Sequence, residues 1–309
     1  MPAPDRTPGE PAPAHVPVLL KEVLQILQLH PGQIVVDGTI GAAGHSREIL
    51  RRIGPQGTLI GLDRDALMLE IAARQLSPFP CHLQQASYAE LPQVLAGLNI
   101  PAVDCILLDL GLSSDQLADR SRGFSFSSEG PLDLRFDVRQ GEPASELVAR
   151  LGEQELATIF ERFGEEPDSR RVARSIVNWR LRQPIRTGRD LAEAVSGGHT
   201  IETRHSRRPK RPGARHPATR VFQALRIAVN DELGQLQRAL GGVLNSCLKS
   251  GGIAAVISFH SLEDRLVKLA FRESTLWQLL CPKPIAASPA EQRFNPRSRT
   301  ARLRAAKKL

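Results

Sequence analysis

A glycine-rich turn between an apolar strand and a helix constrains this chain more than any other feature. The apolar run Ile34-Val35-Val36 leads into Asp37-Gly38-Thr39-Ile40-Gly41-Ala42-Ala43-Gly44-His45, and a helical pattern follows. A turn of this kind brings backbone N–H groups and a helix N-terminus against a bound ligand. Its glycines lack the G-x-G-x-x-G spacing of a dinucleotide site, which disfavours an NAD-dependent oxidoreductase.

Acidic residues end three predicted strands at the same relative place. Asp37 closes the first strand, Asp63 the second and Asp109 the fourth. The carboxyl ends of parallel strands form one edge, where ligands of such sheets bind. Carboxylates there favour a ligand with a sulfonium and an ammonium group, and Asp63 is placed to hold a ribose diol. These residues indicate S-adenosylmethionine; the alternative is a set of tight turns with solvated carboxylates.

Strand-like and helical patterns alternate through much of the chain. Predicted strands cover 33–37, 58–62, 80–85, 103–109 and 253–259, and predicted helices include 65–76 and 88–98. A long helix is expected over 217–249, with Pro217 at its first position and Gly251-Gly252 closing it before the fifth strand. This alternation predicts an α/β fold with a parallel sheet and crossover helices.

The stretch from 144 to 196 is helical and nearly free of strand signals. Leu156, Ile159, Phe160 and Phe163 form one apolar stripe, and Val172, Ile176 and Leu181 continue it on the next helix. Thr187 is the expected N-cap of a further helix that stops at Gly197. We therefore predict a small all-helical domain inserted into the α/β domain. The predicted limits are a disordered tail over 1–14, an α/β domain over 15–135 and 216–309, and the insert with its basic linker over 136–215.

Charge favours a polyanionic partner. The 309 residues carry a net charge of +8. Two stretches, 204–220 and 293–308, each hold seven Lys or Arg residues and no acid, so each is interpreted either as an RNA contact or as a solvated linker or tail. Within the first stretch the candidate RNA contacts are Arg207, Arg208, Arg211 and Arg215.

Cysteine usage and hydropathy describe a cytoplasmic protein. The four cysteines show no metal-ligand spacing, so no metal site is expected, and reduced thiols fit the cytosol. No apolar run is long enough to cross a bilayer. The oligomeric state is open from sequence, with a homodimer as one alternative.

Asp109 is the candidate catalytic residue, as an acceptor for the hydrogens of an exocyclic amine. An aromatic side chain that stacks on a base is expected from Phe124, Phe126 or Phe259, each of which is equally an ordinary core residue. Asp133 and Arg135 either line a pocket or form a surface salt bridge. His260 either positions substrate or caps the helix after the fifth strand, where Ser261 and Asp264 have capping-box spacing.

Together these segments resemble the bacterial RsmH/MraW family of methyltransferases. The matching pieces run in order from 15 to about 270; they are 15–20, 37–46, 63–65, 107–114, 122–136, 216–230 and 258–265. The resemblance implies a class I methyltransferase fold with a helical insert. It also implies S-adenosylmethionine-dependent methylation of N4 of cytidine 1402, in the decoding centre of 16S rRNA in the small ribosomal subunit.

The resemblance also implies which residues bind the cofactor. Ala43, Gly44 and His45 would contact it through the glycine loop, and Asp63 would bind the ribose. Tyr88 and Asp109 would flank the adenosine, and Gln116 is a further expected contact. Position 43 is usually glycine in the family, and an alanine there is unstrained only if its φ is negative.

Two other classes of function remain open from the residues alone. One is a methyltransferase that acts on another RNA, a protein or a small molecule; for the last two the basic stretches would have no role. The other is a non-enzymatic ribosome assembly factor that keeps the fold without the chemistry.

Overall fold

The computed structural model describes residues 17–119, 121–125, 129–197 and 217–309. The predicted tail over 1–14 and residues 15–16 of the resemblance lie outside this part of the chain. The same holds for Phe126 and for the candidate RNA contacts, which are Arg207, Arg208, Arg211 and Arg215.

Eight strands form one sheet in the described residues. They are β1 (Ile34–Asp37), β2 (Thr58–Asp63), β3 (Cys81–Gln85), β4 (Val103–Asp109), β5 (Leu248–Ser258), β6 (Trp277–Leu279), β7 (Ile285–Ala286) and β8 (Arg302–Lys308). The first five are parallel in the order β3-β2-β1-β4-β5, and β8 lies antiparallel between β5 and β6. The α/β prediction is confirmed, and this strand order is the class I topology that the resemblance implies. The first four strands lie within one residue of their predicted limits.

Helices cover both faces of the sheet. They are α1 (Leu20–Ile26), α2 (Gly44–Ile53), α3 (Ala66–Leu76), α4 (Leu91–Gly97), α5 (Ser114–Ala118), α6 (Ala144–Arg150), α7 (Glu153–Gly164), α8 (Ser169–Arg180), α9 (Gly188–Val195), α10 (Pro217–Asn230), α11 (Glu232–Arg238), α12 (Leu244–Cys247), α13 (Ser261–Ala270) and α14 (Pro289–Phe294). Successive strand residues point to opposite faces. Val35 and Leu107 therefore pack with α1, α2 and α3, whereas Val36 and Leu108 pack with α4, α11, α12 and α13. Both faces being covered explains why these strands are apolar throughout.

The inserted helices have an apolar core of their own. Leu156 and Phe160 of α7 are buried, with Ile159 and Phe163 packed beside them, so the predicted stripe is confirmed. This cluster also contains Phe124, Leu132 and Leu134 before the helices, and residues of α10 from Ala218 to Leu225 after them. The apolar core of the insert therefore extends beyond the predicted limits of 136 and 215, because the loop before α6 and the first turns of α10 supply part of it.

The predicted helix over 217–249 is wrong as a single element. It breaks after Asn230, where Asp231 takes a φ of 50°, and again in a π-helical turn over 239–243. The break allows the buried Asn230 side chain to bond the preceding loop, because its Oδ1 accepts from Phe136 N at 2.7 Å and its Nδ2 donates to Leu134 O at 2.7 Å. Gly251, predicted to close the helix, instead lies within β5 with a φ of 79°, near a register shift against β4.

Three smaller expectations need correction or refinement. Leu181 does not continue the apolar stripe; it is 79 % exposed just beyond the end of α8. The predicted capping box of Ser261 and Asp264 is wrong, because α13 is capped by His260, whose Nδ1 accepts from Glu263 N. Thr187 is confirmed as the N-cap of α9, and it accepts from Asp190 N at 3.1 Å.

The second basic stretch is folded and is not a solvated tail. It runs through α14 and β8, where Arg304 forms a two-point ion pair with Asp264 and Lys308 Nζ donates to two backbone carbonyls. Among the described helices, none has the length and apolar character needed to span a membrane.

Candidate active site

A cleft opens at the carboxyl ends of β1, β2 and β4. We call it the rim cleft; its walls include Gly41, Gly44, Asp63, Tyr88 and Asp109. The space between these walls is about 1060 Å³ when the open mouth is counted. The register of the sheet explains the convergence. Asp37 pairs with Gly61 and with Leu107, so Asp63 and Asp109 each lie two residues further along the neighbouring strands.

The glycine loop is tied to the strand ends by hydrogen bonds. Gly41, with a φ of 49°, donates its N–H to Asp63 Oδ2 at 3.0 Å. Gly38 is required by packing, because a Cβ there would lie 2.5 Å from Leu108 Cδ2 and 3.0 Å from Tyr88 Cβ. The loop is therefore held close to the floor of the rim cleft, where backbone and helix α2 can meet a ligand.

Ala43 takes the conformation that favours glycine. Its φ is 61°, immediately before α2, which costs an alanine on the order of 1–2 kcal/mol. Ala43 is 1 % exposed and belongs to the apolar core, whereas its neighbours Ala42 and Gly44 line the rim cleft. The departure from the family's glycine therefore adds backbone strain but places no methyl group in the cleft.

Asp37 supports the loop from below and does not line the rim cleft. It is 2 % exposed; its Oδ2 accepts from Ser46 Oγ at 2.7 Å and its Oδ1 from Thr39 N at 3.3 Å. Burial raises its pKa. Although it was predicted to bind the cofactor, it lies where it can act on a ligand only through its field and through the loop.

Asp63 and Asp109 face the rim cleft with raised pKa values. Burial raises the pKa of each carboxyl to about 7. Backbone hydrogen bonds to Asp63 and the positive charge of Arg297 near Asp109 lower the pKa, but by less than burial raises it. Asp109 Oδ1 has no hydrogen-bond partner among the described residues, although it is buried. A buried acceptor without a partner is costly, so this atom is suited to a ligand that brings a donor or a positive charge.

The neutral imidazole ring of His45 lies next to the Asp109 carboxyl. Its Nε2 donates to Val18 O at 2.9 Å, so Nδ1 is the unprotonated nitrogen when the ring is neutral. That nitrogen lies 3.6 Å from Asp109 Oδ2, and burial lowers the pKa of the ring. His45 therefore does not supply the cation that Asp109 lacks.

Tyr88 and Gln116 also line the rim cleft, as the resemblance implies. Gln116 Nε2 donates to Asp65 Oδ2 at 2.9 Å and its Oε1 accepts from Ser113 N, which fixes the first turn of α5. Burial raises the pKa of Tyr88, so its hydroxyl stays protonated. Of the predicted cofactor contacts, the structure thus gathers Gly44, His45, Asp63, Tyr88, Asp109 and Gln116 around one cleft.

A second cavity adjoins the rim cleft on the side of the helical insert. We call it the side cavity; Phe124, Phe222 and Phe259 contribute to its largely apolar wall. It shares Gly111, Leu112, Phe259 and Arg297 with the rim cleft. Two of the expected aromatic candidates therefore lie where a planar group next to the rim cleft would contact them.

His260 lines the side cavity and not the rim cleft. Its Nε2 lies 3.1 Å from Glu263 Oε1, and it also caps α13. Asp133 and Arg135 line neither cavity; they form a two-point ion pair with distances of 2.7 and 2.8 Å. The capping role of His260 is thus visible in the structure, and a substrate role stays a prediction.

Sequence reasoning missed several residues of the rim cleft. Arg297 and Glu232 come from distant parts of the chain, and no local motif marks them. Glu263 lies in the segment 258–265 that carries the resemblance, but it is not among the predicted site residues. Arg297 falls in the basic stretch 293–308, for which the sequence leaves an RNA contact and a solvated tail as alternatives. Within the described ranges, no three His, Cys, Asp or Glu side chains are arranged to hold a metal ion.

A glycine loop and strand-end carboxylates on a sheet of this topology define the class I methyltransferases. A model of the MraW methylase family matches residues 12–309, so the chain belongs to this family of S-adenosylmethionine-dependent methyltransferases. The chain is 46 % identical to "Ribosomal RNA small subunit methyltransferase H" of Syntrophotalea carbinolica, covering 96 % of this chain and 98 % of that protein. It is 44 % identical to the protein of the same name in Geotalea uraniireducens, with 96 % and 98 % covered.

Among solved structures, the chain is similar to a putative rRNA methylase of Clostridium thermocellum. The TM-score is 0.47 at 10 % identity, with 95 % of this chain and 99 % of that chain covered.

The raised pKa of Asp109 predicts how stability depends on pH. The unfolded chain releases this proton near pH ~3.9, whereas the folded chain holds it until about pH 7, so stability falls progressively between these two pH values and the full cost is present above pH 7. We expect Asp109→Asn to raise the melting temperature of the cofactor-free protein clearly less at pH 5 than at pH 8.5. Each kcal/mol recovered corresponds to roughly 2–4 °C.

Thermal unfolding at the two pH values measures this difference. Glu161→Gln, on the exposed face of α7, is the matched control and should show no gain at either pH. An equal effect of Asp109→Asn at both pH values would contradict the assignment of a buried, proton-holding carboxyl.

Proposed function

We propose that this chain methylates the N4 amine of cytidine 1402 in 16S rRNA of the small ribosomal subunit. Family membership and full-length relatives named for small-subunit rRNA methylation support an rRNA substrate. The observation that carries the finer proposal is the unpartnered Oδ1 of Asp109, an acceptor next to a largely apolar side cavity. An exocyclic amine on a planar base would supply both the missing donor and the apolar surface.

The residues fit the cofactor by charge. Asp63 and Asp109 line the rim cleft, and Asp37 adds a third carboxyl beneath it. S-adenosylmethionine supplies, when bound, a methyl group on a sulfonium that is already electrophilic. Asp63 and the glycine loop would orient it, and Tyr88 and Gln116 would line the remaining wall.

Asp109 would orient the N4 amine of the cytidine and accept its proton. Its carboxylate would accept one N4–H and take that proton as the nitrogen bonds the methyl carbon and the bond from that carbon to sulfur breaks, which leaves the thioether S-adenosylhomocysteine. Holding the two groups in line can lower the barrier by about 7–11 kcal/mol, while a positioned base adds roughly 10²–10⁴-fold. Positioning therefore contributes more than proton transfer, and the reaction needs no step at a metal.

The side cavity would hold the target base. Phe124, Phe222 and Phe259 offer surfaces against which a base can stack, and stacking contributes roughly 1–3 kcal/mol per base. The target base must leave its own stack, which costs a few kcal/mol. The cavity can offset most of that cost, and basic residues contacting the surrounding RNA can supply the remainder.

Of the two basic stretches, the first is the proposed RNA contact. Within the second, Arg304 is neutralised by Asp264, and Lys308 Nζ is bonded to carbonyls. The first keeps Arg207, Arg208, Arg211 and Arg215 as sequence-based candidates. The proposed partner is the small ribosomal subunit, which places the chain in the cytoplasm; a homodimer stays a prediction.

Mapping of modified nucleosides tests the proposed function. In cells that lack the protein, we expect 16S rRNA to lose the N4 methyl group at cytidine 1402, and purified protein with S-adenosylmethionine should restore it on small subunits from those cells. Asp109→Ala should abolish the restoration. Unchanged modification in the deletion strain would refute the substrate, and wild-type turnover by Asp109→Ala would remove that carboxyl from the mechanism.

Charge reversal separates an RNA enzyme from one that modifies a protein or a small molecule. Changing Arg207, Arg208 and Arg211 to Glu should weaken RNA binding and reduce the slope of log K against log salt by roughly 2, because each lost phosphate contact removes ~0.7–0.9. Binding of S-adenosylmethionine, measured by calorimetry, should not change. An unaltered salt slope would argue against this stretch as an RNA contact.

A further inference from the structure

Arg297 is the one charged residue that borders both cavities in the described chain. It lies in the short 3₁₀ turn Pro296–Thr300, far along the chain from the glycine loop. Its guanidinium Nη1 donates to Ser114 Oγ at 2.5 Å, at the first turn of α5. That bond fixes the side chain at the junction of the rim cleft and the side cavity, where Gly111, Leu112 and Phe259 are the other shared walls.

The Arg297 guanidinium is half-buried and has few partners in the described part of the chain. Its bond to Ser114 is the one hydrogen bond it makes within the described ranges, although a guanidinium carries five N–H donors. No described carboxylate oxygen lies within 4.0 Å of it, so Asp109 and Asp115 act on it only across a longer distance. Burial lowers its pKa.

The other arginine of the side cavity differs in this respect. Arg226 forms a two-point ion pair with Glu232, with distances of 2.7 and 2.9 Å, and so is already neutralised. Arg297 is therefore the cation with donors left for a ligand. Such donors require acceptor atoms, and they lie near the unpartnered acceptor Asp109 Oδ1.

The donor Arg297 and the acceptor Asp109 Oδ1 complement the hydrogen-bonding edge of cytosine and not that of uracil. Cytosine presents an amine donor at N4 and acceptors at N3 and O2. Uracil presents an acceptor at O4, which would face the carboxylate acceptor. It presents a donor at N3, which would face the guanidinium donor, so neither pair could form a hydrogen bond. Unpaired buried polar groups reject a substrate strongly, so such a pair discriminates between the two bases.

We propose that Arg297 recognises the N3 and O2 acceptors of the target cytosine while Asp109 holds its N4 amine. This inference rests on the proposed function, because it assumes a cytosine in the side cavity with N4 toward Asp109. Arg297 is then the residue that selects cytosine over uracil, and Phe259 contributes the shared apolar wall between the two polar groups.

A test pairs a protein change with a change of one substrate atom. Single-turnover methylation is measured at saturating S-adenosylmethionine on small subunits reconstituted with cytidine or 3-deazacytidine at the target position. The analogue replaces the N3 acceptor by C–H and keeps O2 and N4. We expect the wild type to lose roughly 5- to 150-fold in rate on the analogue, the range for a good base contact. Arg297→Gln should show a similar loss on cytidine and little further loss on the analogue.

Two further variants keep the test interpretable. Arg297→Lys retains the charge without the planar fork and should recover part of the rate on cytidine. Arg299→Gln changes an exposed arginine of the same turn and should behave as the wild type on both substrates. Melting temperatures identify any variant that is misfolded, and a merely structural role would not produce coupling to the N3 atom.

The outcomes separate this inference from the proposed function. If the wild type forms no N4-methylcytidine on unmodified subunits, the proposed function fails. If it does, and Arg297→Gln loses the same factor on both substrates, the guanidinium binds a phosphate or another group and not N3. Full activity of Arg297→Gln on cytidine would likewise overturn the inference.

Discussion

The burial of carboxyl groups at one edge of a parallel sheet, with no Lys or Arg nitrogen within 4.0 Å of them among the described residues, is the constraint on which the rest of this structure depends. Asp63 and Asp109 both face the rim cleft with pKa values raised to about 7, and Asp37 lies beneath it. The neighbouring His45 ring is kept neutral by burial, so it does not compensate them. Ionising these buried carboxyls is therefore unfavourable, and a cationic methyl donor beside them would make it favourable.

The surrounding structure keeps these carboxyls in place. Asp63 accepts from Gly41 N, and Asp37 accepts from Ser46 and Thr39, so the acids that shape the electrostatics also hold the glycine loop. On the opposite side, the insert and the loop before it close the side cavity, and the C-terminal turn brings Arg297 to the junction. Parts of the chain that are distant in sequence therefore line the two adjoining cavities.

Apolar runs, turn residues and helical spacing predicted the parts of the fold that depend on short stretches of sequence. The first four strands and the acids at their ends follow from apolar runs closed by turn residues, and the stripe on α7 follows from helical spacing. The break after Asn230 was missed because its cause is tertiary: that side chain bonds Leu134 and Phe136 in a distant loop. Arg297 lies in the stretch 293–308, for which the sequence leaves an RNA contact and a solvated tail as alternatives, because its contact with Ser114 of α5 is tertiary and no local pattern indicates it.

Calorimetry of cofactor binding in buffers of different ionisation enthalpy tests the central claim most directly, because it counts the protons released. At pH 6.5, groups with a pKa near 7 are mostly protonated, and a bound sulfonium and ammonium favour their ionised forms. The account predicts that S-adenosylmethionine releases about one proton or more per site, and that S-adenosylhomocysteine, which lacks the sulfonium charge, releases fewer. Binding of S-adenosylmethionine without any proton release would contradict it.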